Sequence, residues 1–407
     1  MDAYIDLPED IRREGYCAKL NFWLYGMRPA AQAWEGMYSE KMVEYGFKQG
    51  TCAPTVFRFE IKDMDCVVHG DDFTILGYDE DLDELIEAMG KWFEIKVRGK
   101  IGPESGDQKS MTILNRTIDW LSWGIQITAD PKHVERFLEY FGLGSESTSV
   151  VCPGKKEEVP VDDVNEELDE AIEDLEKLEG ALISQYRGLA ATLNYLAQDR
   201  FDVQFTGKEL SREMSSPTKS SMARAKRAAR YLLGAPVVKI EYVNQRPPSQ
   251  MKTYVDSDWA GCMKTRKSTS AGVILFGLHC VRTWSTAQGS LATSSAEAEF
   301  YAIIEGGSRT LGMASLGKDL GCSLKAIMYS DASAGRSMVF RKGLGRVRHL
   351  ETKYLWIQDV VRAGRIQLLK VKGVENPADI GTKYLSLREM SELLGGIGVR
   401  VCERSKV

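Results

Sequence analysis

Two breaks in the sequence divide the chain into three parts, and its length predicts two or three domains. Residues 152–179 form a charge-rich linker with two prolines, and its later part, 165–179, is predicted to be a short acidic helix. Residues 244–250 contain two adjacent prolines, which cannot continue a helix or a central strand. A chain of 407 residues is also too long for one ordinary core. We therefore expect an N-terminal part, a helical middle and a C-terminal part.

The charges are distributed unevenly along the chain. Residues 157–179 hold twelve acids and one lysine, a block of −11, so the net charge of −5 leaves +6 on the rest. Residues 336–372 hold ten lysines and arginines but only two acids, Glu351 and Asp359. Such a basic cluster is typical of a surface that contacts a phosphate backbone. Without other observations, a solvated basic face would be the simpler interpretation.

Several classes of protein are disfavoured by simple counts. The eight cysteines are scattered singly without a C-x-x-C pair, which argues against a zinc site and a disulfide framework. The longest apolar runs, such as 271–276, are far shorter than the roughly 20 residues needed to span a bilayer. The first residues are acidic and lack an apolar signal core, so we expect no secretion and no membrane partner.

The hydrophobic pattern differs between the middle and the C-terminal part. In 184–233, apolar residues recur at helical spacing, for example Leu189, Leu193 and Leu196. In the C-terminal part we predict strands at 253–255, 273–276, 281–284, 326–329 and 367–371. Helices are predicted after Ser294, around 334–340 and around 352–361. Strands mixed with helices at these lengths predict an α/β layer domain.

Four acids of the C-terminal part occupy positions at which the stability of the fold alone would not require an acidic residue. Asp256 follows the first strand, Asp331 ends the strand at 327–330, Glu299 lies in the helix after Ser294, and Asp379 follows Pro377 at a helix start. Hydrolysis of a phosphodiester by two divalent ions needs carboxylates from separate elements, which hold the ions about 3.5–4 Å apart. Each acid also has a structural explanation, because aspartates begin turns and cap helices.

Two neighbouring acids compete with these four for a metal-binding role. Asp258 faces the same side of the strand as Asp256 by alternation. Glu297 completes the capping-box pattern Ser-Ser-Ala-Glu that starts at Ser294, which gives it a structural role at the helix start and leaves Glu299 available.

The order of the motifs in 251–390 resembles the ribonuclease H domain of copia-like LTR retrotransposons. The matching runs are Tyr-Val-Asp-Ser-Asp-Trp-Ala-Gly (254–261), Arg-Lys-Ser-Thr-Ser-Ala-Gly (266–272), Ser-Ser-Ala-Glu-Ala-Glu-Phe-Tyr-Ala (294–302), Tyr-Ser-Asp-Ala-Ser-Ala (329–334), Arg-His-Leu-Glu-Thr-Lys-Tyr (348–354) and Asn-Pro-Ala-Asp-Ile-Gly-Thr-Lys (376–383). The resemblance places the family's catalytic and metal-binding acids at Asp256, Glu299, Asp331 and Asp379. Asp258 then becomes a supporting or surface residue.

The same resemblance implies the substrate and the cofactor. It implies two Mg²⁺ or Mn²⁺ ions and an RNA–DNA hybrid, which the family grips near Arg348, His349 and Lys353. The hybrid would be recognised by its shape, its phosphates and its 2′-hydroxyls, so binding should weaken steeply with salt. Cellular relatives often carry a mobile histidine before the last aspartate. Here that loop, 372–375, has none, and Glu375 is the residue available for its role.

The N-terminal part resembles a copia-type reverse transcriptase. Residues 66–77 are two apolar strands around a Gly-Asp-Asp turn that would present Asp71 and Asp72 to metal. Residues 24–34, 4–8, 92–97 and 186–233 also fit that family, but Pro29 replaces its glutamine and Ala31-Gln32 its Pro-Arg pair. A family polymerase needs a further aspartate on an earlier strand, and we expect this chain to begin just after it. We therefore expect no independent DNA synthesis, and primer extension by the purified chain would contradict this.

The expected fold is mixed α/β (α+β mixed). It comprises a truncated reverse-transcriptase palm at 1–100, a thumb and connection region at 101–250 with its acidic linker, a five-stranded ribonuclease H-like domain at 251–390 and a C-terminal tail at 391–407. The resemblance implies a location inside the cell, in the cytoplasm, the nucleus or virus-like particles. It also implies the remainder of a transposon polyprotein as a partner. The alternative is a catalytically inactive nucleic-acid-binding fragment of such a polyprotein.

Overall fold

The computed structural model describes residues 3–24, 26–155, 176–345 and 347–404. Most of the acidic linker, including the helix expected at 165–179 as far as residue 175, lies outside the described residues. The chain forms two compact units, Met1–Val97 with Ser315–Ser323, and Arg98–Ala314 with Leu324–Val407. The predicted boundary at residue 250 therefore falls inside the second unit.

The first unit contains a four-stranded antiparallel sheet in the order β3-β4-β5-β6, with two helices and a separate two-stranded sheet, β1-β2. Its elements are β1 (Tyr4–Asp6), β2 (Cys17–Lys19), α1 (Arg28–Tyr45), β3 (Lys48–Gln49), β4 (Val56–Phe59), β5 (Met64–His69), β6 (Asp72–Leu76) and α2 (Asp79–Trp92). Buried side chains of the sheet, such as Phe57 and Met64, pack with Met42 of α1 and Leu85 of α2. An antiparallel sheet packed against two helices is thus the structure of the segment predicted as a truncated palm.

The C-terminal part forms a five-stranded mixed sheet in the order β13-β12-β11-β14-β15. Its elements are β11 (Gln250–Ser257), β12 (Thr269–Phe276), β13 (His279–Ala287), α7 (Ser295–Asp319), β14 (Lys325–Ser330), α8 (Ser333–Phe340), α9 (Trp356–Arg362), β15 (Gln367–Lys370) and a 3-10 helix (Pro377–Gly381). Strands β11, β12 and β13 pair antiparallel, whereas β11, β14 and β15 pair parallel. The predicted strands and helices of this part are confirmed as a five-stranded α/β domain.

Both faces of this sheet are buried, because successive side chains of a strand point alternately into two different cores. Met251 and Val255 of β11 face the core that includes Phe300 of α7 and Ile357 of α9. On β12, Val273 and Leu275 face a second core formed with helices of the connection. The connection helices thus cover the sheet, which explains why the two predicted parts form one compact unit.

The connection region contains the predicted helices but also a sheet that the helical interpretation left out. The helices are α3 (Lys132–Tyr140), α4 (Ala181–Leu196), α5 (Phe201–Arg212) and α6 (Lys219–Gly234), and the strands are β7 (Ser110–Ile113), β8 (Arg116–Leu121), β9 (Gly124–Thr128) and β10 (Val237–Val243). Leu114 and Asn115 both have positive φ, as a two-residue type I′ hairpin between β7 and β8 requires. The region is therefore helical only in part.

The segment predicted as a C-terminal tail contributes to the fold in its described part. Helix α10 (Leu387–Gly396) begins at a capping box between Ser386 and Glu389. Strand β16 (Val399–Cys402) then pairs antiparallel with β10 and completes a sheet in the order β16-β10-β9-β8-β7. Met390 and Leu394 bury the apolar face of α10, so hydrophobic contact holds this segment in place.

Among the described helices, none combines the length and the apolar character that crossing a bilayer would require.

Candidate functional site

Two of the four predicted acids lie at the same edge of the C-terminal sheet. Strands β11 and β14 are parallel neighbours, and Tyr254 pairs with Tyr329. Asp256 and Asp331 each follow that pair by two residues, so parallel pairing brings both acids to the carboxyl ends of adjacent strands. Side chains two residues apart on a strand share a face, which sends both carboxylates to the same side.

The third acid comes from helix α7, which packs on the opposite face of the sheet, against Met251 and Val255, and brings Glu299 to the strand ends. Phe300 and Ile303 of this helix are buried in the core. Glu299 directly precedes Phe300 and lies in the second turn of the helix. Potential ligand oxygens of Asp256, Glu299 and Asp331 all lie within 4.8 Å of one another. Among the described residues, this is the one group of three or more potential metal ligands.

Asp379 lies in the 3-10 helix Pro377–Gly381, which is fastened to β11 by Asn376. The Asn376 side-chain amide donates to the Val255 carbonyl at 3.0 Å, and its oxygen accepts from the Ala378 N–H at 3.3 Å. The hydroxyl of Thr382 donates to Asp256 just beyond that helix. Asp379 itself is outside the three-acid group, and its Oδ2 pairs with Lys383 Nζ at 2.7 Å.

Burial of like charges sets the electrostatics of the site. Asp256, Glu299 and Asp379 are each less than one-tenth exposed. Burial, reinforced by the charges of Asp379 and Asp331, raises the pKa of Asp256 to about 7. Burial, followed by the charges of Asp256 and Asp331, raises the pKa of Glu299 to about 9. Burial also raises the pKa of Asp379. Without a cation, Glu299 therefore retains its proton at neutral pH, and Asp256 is close to half protonated there.

The site has the properties that a divalent cation requires. Glu299 Oε2 and Asp379 Oδ1 are buried and accept no hydrogen bond from the described residues. A buried oxygen without a partner is costly unless a cation or water satisfies it. Mg²⁺ and Mn²⁺ prefer such hard carboxylate oxygens. The residues present thus fit a carboxylate-bound metal centre.

Asp258 has a structural role that sets it apart from Asp256. It lies just beyond β11, and its carboxylate accepts the N–H and the hydroxyl of Thr269 at the start of β12. The same hydroxyl accepts from Lys208 of α5 at 2.6 Å. Asp258 therefore ties β12 to the chain after β11 and, through Thr269, to a connection helix.

Glu297 also has a structural role, although its bonds differ from those of the predicted capping box. Its N–H donates to Ser294 Oγ at 3.2 Å, as a capping box requires. Its carboxylate, however, accepts from the Thr293 N–H and hydroxyl instead of the Ser294 N–H. It also accepts from Tyr301 at 2.8 Å and contacts His349 Nε2 at 3.0 Å.

The three predicted nucleic-acid contacts lie close together in sequence but have different surroundings. Arg348 is exposed, and His349 is half exposed although Glu297 holds one of its ring nitrogens. Lys353 is exposed, pairs with Glu351 at 2.7 Å, and lies 5.0 Å from the ring centre of Tyr354. Arg348 and Lys353 therefore leave their charges on the surface.

The predicted polymerase hairpin is formed by β5 and β6, with Gly70 and Asp71 at its tip. Gly70 has φ +62°, as the first central residue of a type II′ turn requires. Trp34 of α1 donates to the Gly70 carbonyl at 3.1 Å. Asp71 is exposed and Asp72 pairs with His69 across the hairpin, so the turn presents both acids. Neither belongs to the group of three ligands found in the described residues.

Sequence reasoning missed three residues that shape the acid cluster. Asn376, Thr382 and Lys383 belong to the quoted run Asn-Pro-Ala-Asp-Ile-Gly-Thr-Lys, but only its aspartate was given a role. Their polar character beside a candidate ligand was the available signal. Their partners, Val255, Asp256 and Asp379, could not be identified before β11 and the 3-10 helix were known to be neighbours.

A substitution at Gly335 should displace Glu299 without touching a charged group. A Cβ at Gly335 of α8 would lie 2.7 Å from the Cβ of Glu299, closer than packed side chains tolerate. We expect Gly335→Ala to lower the free energy of unfolding by about 1–3 kcal/mol and to weaken Mn²⁺ binding. Thermal unfolding and Mn²⁺ titration measure both effects. Gly289→Ala is the control, because nothing lies within 4 Å of its new Cβ. Equal behaviour of the two variants would contradict the close packing.

Comparison with known proteins confirms the resemblance to copia-type Pol polyproteins. No family model matches the sequence. The Retrovirus-related Pol polyprotein from transposon RE1 of Arabidopsis thaliana is 25% identical over 98% of this chain and 26% of its own length. The corresponding protein from transposon TNT 1-94 of Nicotiana tabacum is 24% identical over 94% of this chain and 28% of its own length. The chain thus spans about a quarter of the length of these relatives.

Among solved structures, the foamy viral protease-reverse transcriptase in complex with RNA/DNA hybrid is similar with a TM-score of 0.48 and 10% identity. The match covers 89% of this chain and 40% of that chain. The fold assignment rests on the strand order and packing of this chain alone.

Proposed function

We propose that this relative of copia-type Pol polyproteins is a ribonuclease H that cleaves the RNA strand of RNA–DNA hybrids by two-metal hydrolysis. The observation that carries the proposal is the cluster of Asp256, Glu299 and Asp331, whose ligand oxygens lie within 4.8 Å of one another. A fold gains nothing from burying like charges so close together without a cation. The four acids come from two strand ends, a helix and a 3-10 helix, as two-metal hydrolysis needs.

Each acid of the cluster has a part in the proposed reaction. Asp256, Glu299 and Asp331 would hold one ion, and Asp256 and Asp379 would share in holding the other. Two bound ions supply activation of the attacking water and stabilisation of the leaving oxygen. Thr382 orients Asp256 by donating to its carboxylate. Asn376 fixes the 3-10 helix on which Asp379 lies, so the backbone keeps the acids in place before the substrate binds.

The basic residues at 336–372 support a nucleic-acid substrate. Arg348 and Lys353 leave their charges exposed, and they belong to the same unit as the acid cluster. Phosphate contacts from such residues position a nucleic acid without selecting its sequence. A hybrid would be distinguished by its shape and by the 2′-hydroxyls of its RNA strand.

The polymerase-like hairpin does not by itself provide the metal ligands of a complete polymerase site. Asp71 stands at its tip and Asp72 begins β6, and among the described residues no group of three potential metal ligands includes either of them. Two-ion phosphoryl transfer depends on ligands that bridge both ions. The proposal therefore assigns hydrolysis, and not DNA synthesis, to this 407-residue chain.

The direct test is cleavage of an RNA–DNA hybrid by the purified chain. We expect endonucleolytic cutting of the RNA strand with Mg²⁺ or Mn²⁺ and none with EDTA, because the carboxylates alone cannot activate water. A labelled hybrid, a DNA duplex and an RNA duplex resolved on a denaturing gel measure activity and selectivity. Salt-sensitive hybrid binding without cutting in either metal would favour the alternative, an inactive nucleic-acid-binding fragment.

A further inference from the structure

The four acids of the candidate metal centre are not equivalent in the metal-free protein. Asp256, Glu299 and Asp331 approach one another, whereas Asp379 pairs through its Oδ2 with Lys383 Nζ at 2.7 Å. The other oxygen of Asp379 is buried and accepts no hydrogen bond from the described residues. One carboxylate of the set therefore already has a cationic partner, and that partner is a residue of the chain.

The Lys383–Asp379 pair differs from an ordinary surface ion pair. The Asp379 side chain is only 12% exposed, whereas that of Lys383 is 53% exposed. Burial by itself would lower the pKa of Lys383, but the bond to Asp379 and the charges of Asp379, Asp256 and Asp331 raise it. The ammonium group is thus held by the field of three candidate ligands. Its long, half-exposed side chain leaves it a path to solvent.

We propose that Lys383 is a resident counter-ion, which neutralises Asp379 in the metal-free protein and must move away before Asp379 can bind a divalent ion. The inference rests on the proposed metal centre and adds a regulation to it. The lysine stays charged throughout, so the change is a displacement of one cation by another and not a titration.

This arrangement gives the two metal ions different binding affinities. The ion held by Asp256, Glu299 and Asp331 binds to ligand atoms that already lie close together, and no lysine has to be displaced from them. The ion that uses Asp379 has to displace Lys383 and then bind near its positive charge. Competition and repulsion both weaken the second ion relative to the first. A nuclease built in this way would complete its metal centre only when the substrate's phosphate adds negative charge.

The experiment is Mn²⁺ binding to the full chain without nucleic acid, followed by electron paramagnetic resonance and calorimetry. We expect one tighter and one weaker ion in the unmodified protein. In Lys383→Met, the weaker ion should bind about tenfold more tightly, because a competing charge is gone. The melting temperature in EDTA should fall, since Asp379 loses its partner, and Mn²⁺ should raise it further than in the unmodified chain.

The matched control is Lys372→Met. Lys372 pairs with Glu375 at 3.2 Å on the preceding loop, but its side chain is 77% exposed. We expect its removal to leave both Mn²⁺ affinities unchanged. Lys383→Gln provides a second variant if the methionine variant does not fold, since glutamine is neutral yet donates a hydrogen bond to Asp379. The same gain in affinity is expected for it.

The possible failures are distinguishable. Two Mn²⁺ ions of equal affinity in the unmodified protein, or a weaker ion that Lys383→Met leaves unchanged or weakens, would overturn the counter-ion role while the metal centre stands. No Mn²⁺ binding by the unmodified protein would remove the metal centre, and the counter-ion role with it.

Discussion

Replacing Asp331 by asparagine is expected to abolish hybrid cleavage, by about a thousandfold or more. The asparagine keeps the shape of the side chain but loses the charge that the cluster contributes to a bound cation. Metal stabilisation of the transition state amounts to several kcal/mol, and each 1.36 kcal/mol lost is tenfold in rate. Initial cleavage rates at saturating Mg²⁺, measured on a labelled hybrid, provide the test.

The same substitution should not damage the fold. Asp331 is one of three acids within 4.8 Å of one another, so neutralising it relieves repulsion in the metal-free protein. We expect a melting temperature in EDTA equal to or above that of the unmodified chain. Asp359→Asn is the control, because Asp359 is 77% exposed and contacts Arg362 on the surface of α9. Unchanged metal-dependent cleavage by Asp331→Asn would refute the assignment of this site.

The second large effect concerns stability in the absence of metal. We expect the metal-free protein to lose stability as pH rises from 5.5 to 8.5, because Glu299 has a pKa of about 9 when folded and near 4.5 in the unfolded chain. Between those values the folded state binds a proton that the unfolded state has released. Stability is then fully present below the lower pKa and is lost as pH rises through the higher one.

The expected size of this loss is up to about 4 kcal/mol for one proton over three pH units. Asp256, with its pKa raised to about 7, adds to it over the lower part of the range. Thermal or urea unfolding in EDTA at several pH values measures the slope. Glu299→Gln should flatten the slope, because glutamine does not titrate. Mg²⁺ should stabilise the unmodified protein more at pH 8.5 than at 5.5, since it competes with protons for the carboxylates.

A matched surface acid separates this effect from general titration. Glu392 of α10 is 63% exposed and contacts Arg388, and Glu392→Gln should retain the full pH dependence. A slope that Glu299→Gln leaves unchanged would show that the buried cluster does not govern stability.

The elements of the C-terminal sheet could be predicted because their signals are local. Alternation of apolar residues marked β11, β12 and β13, and the acids at strand ends were visible beside them. The sheet of the connection was missed for a different reason. Its strands β7, β8 and β9 are short, β7 and β8 contain no buried residue, and two later strands, β10 and β16, complete it. Pairing between strands more than a hundred residues apart has no signature in a short window of sequence.

The sequence by itself determined which residues form strands and helices in the C-terminal part and which acids were candidates, because side-chain periodicity and residue chemistry are properties of neighbouring residues. Only the tertiary structure decided that β11 and β14 are parallel neighbours and that Lys383 forms an ion pair with Asp379. It also decided that His349 turns towards Glu297. The physical reason is that distances between charges, and hence their pKa values and metal affinity, depend on contacts between elements that no single segment encodes.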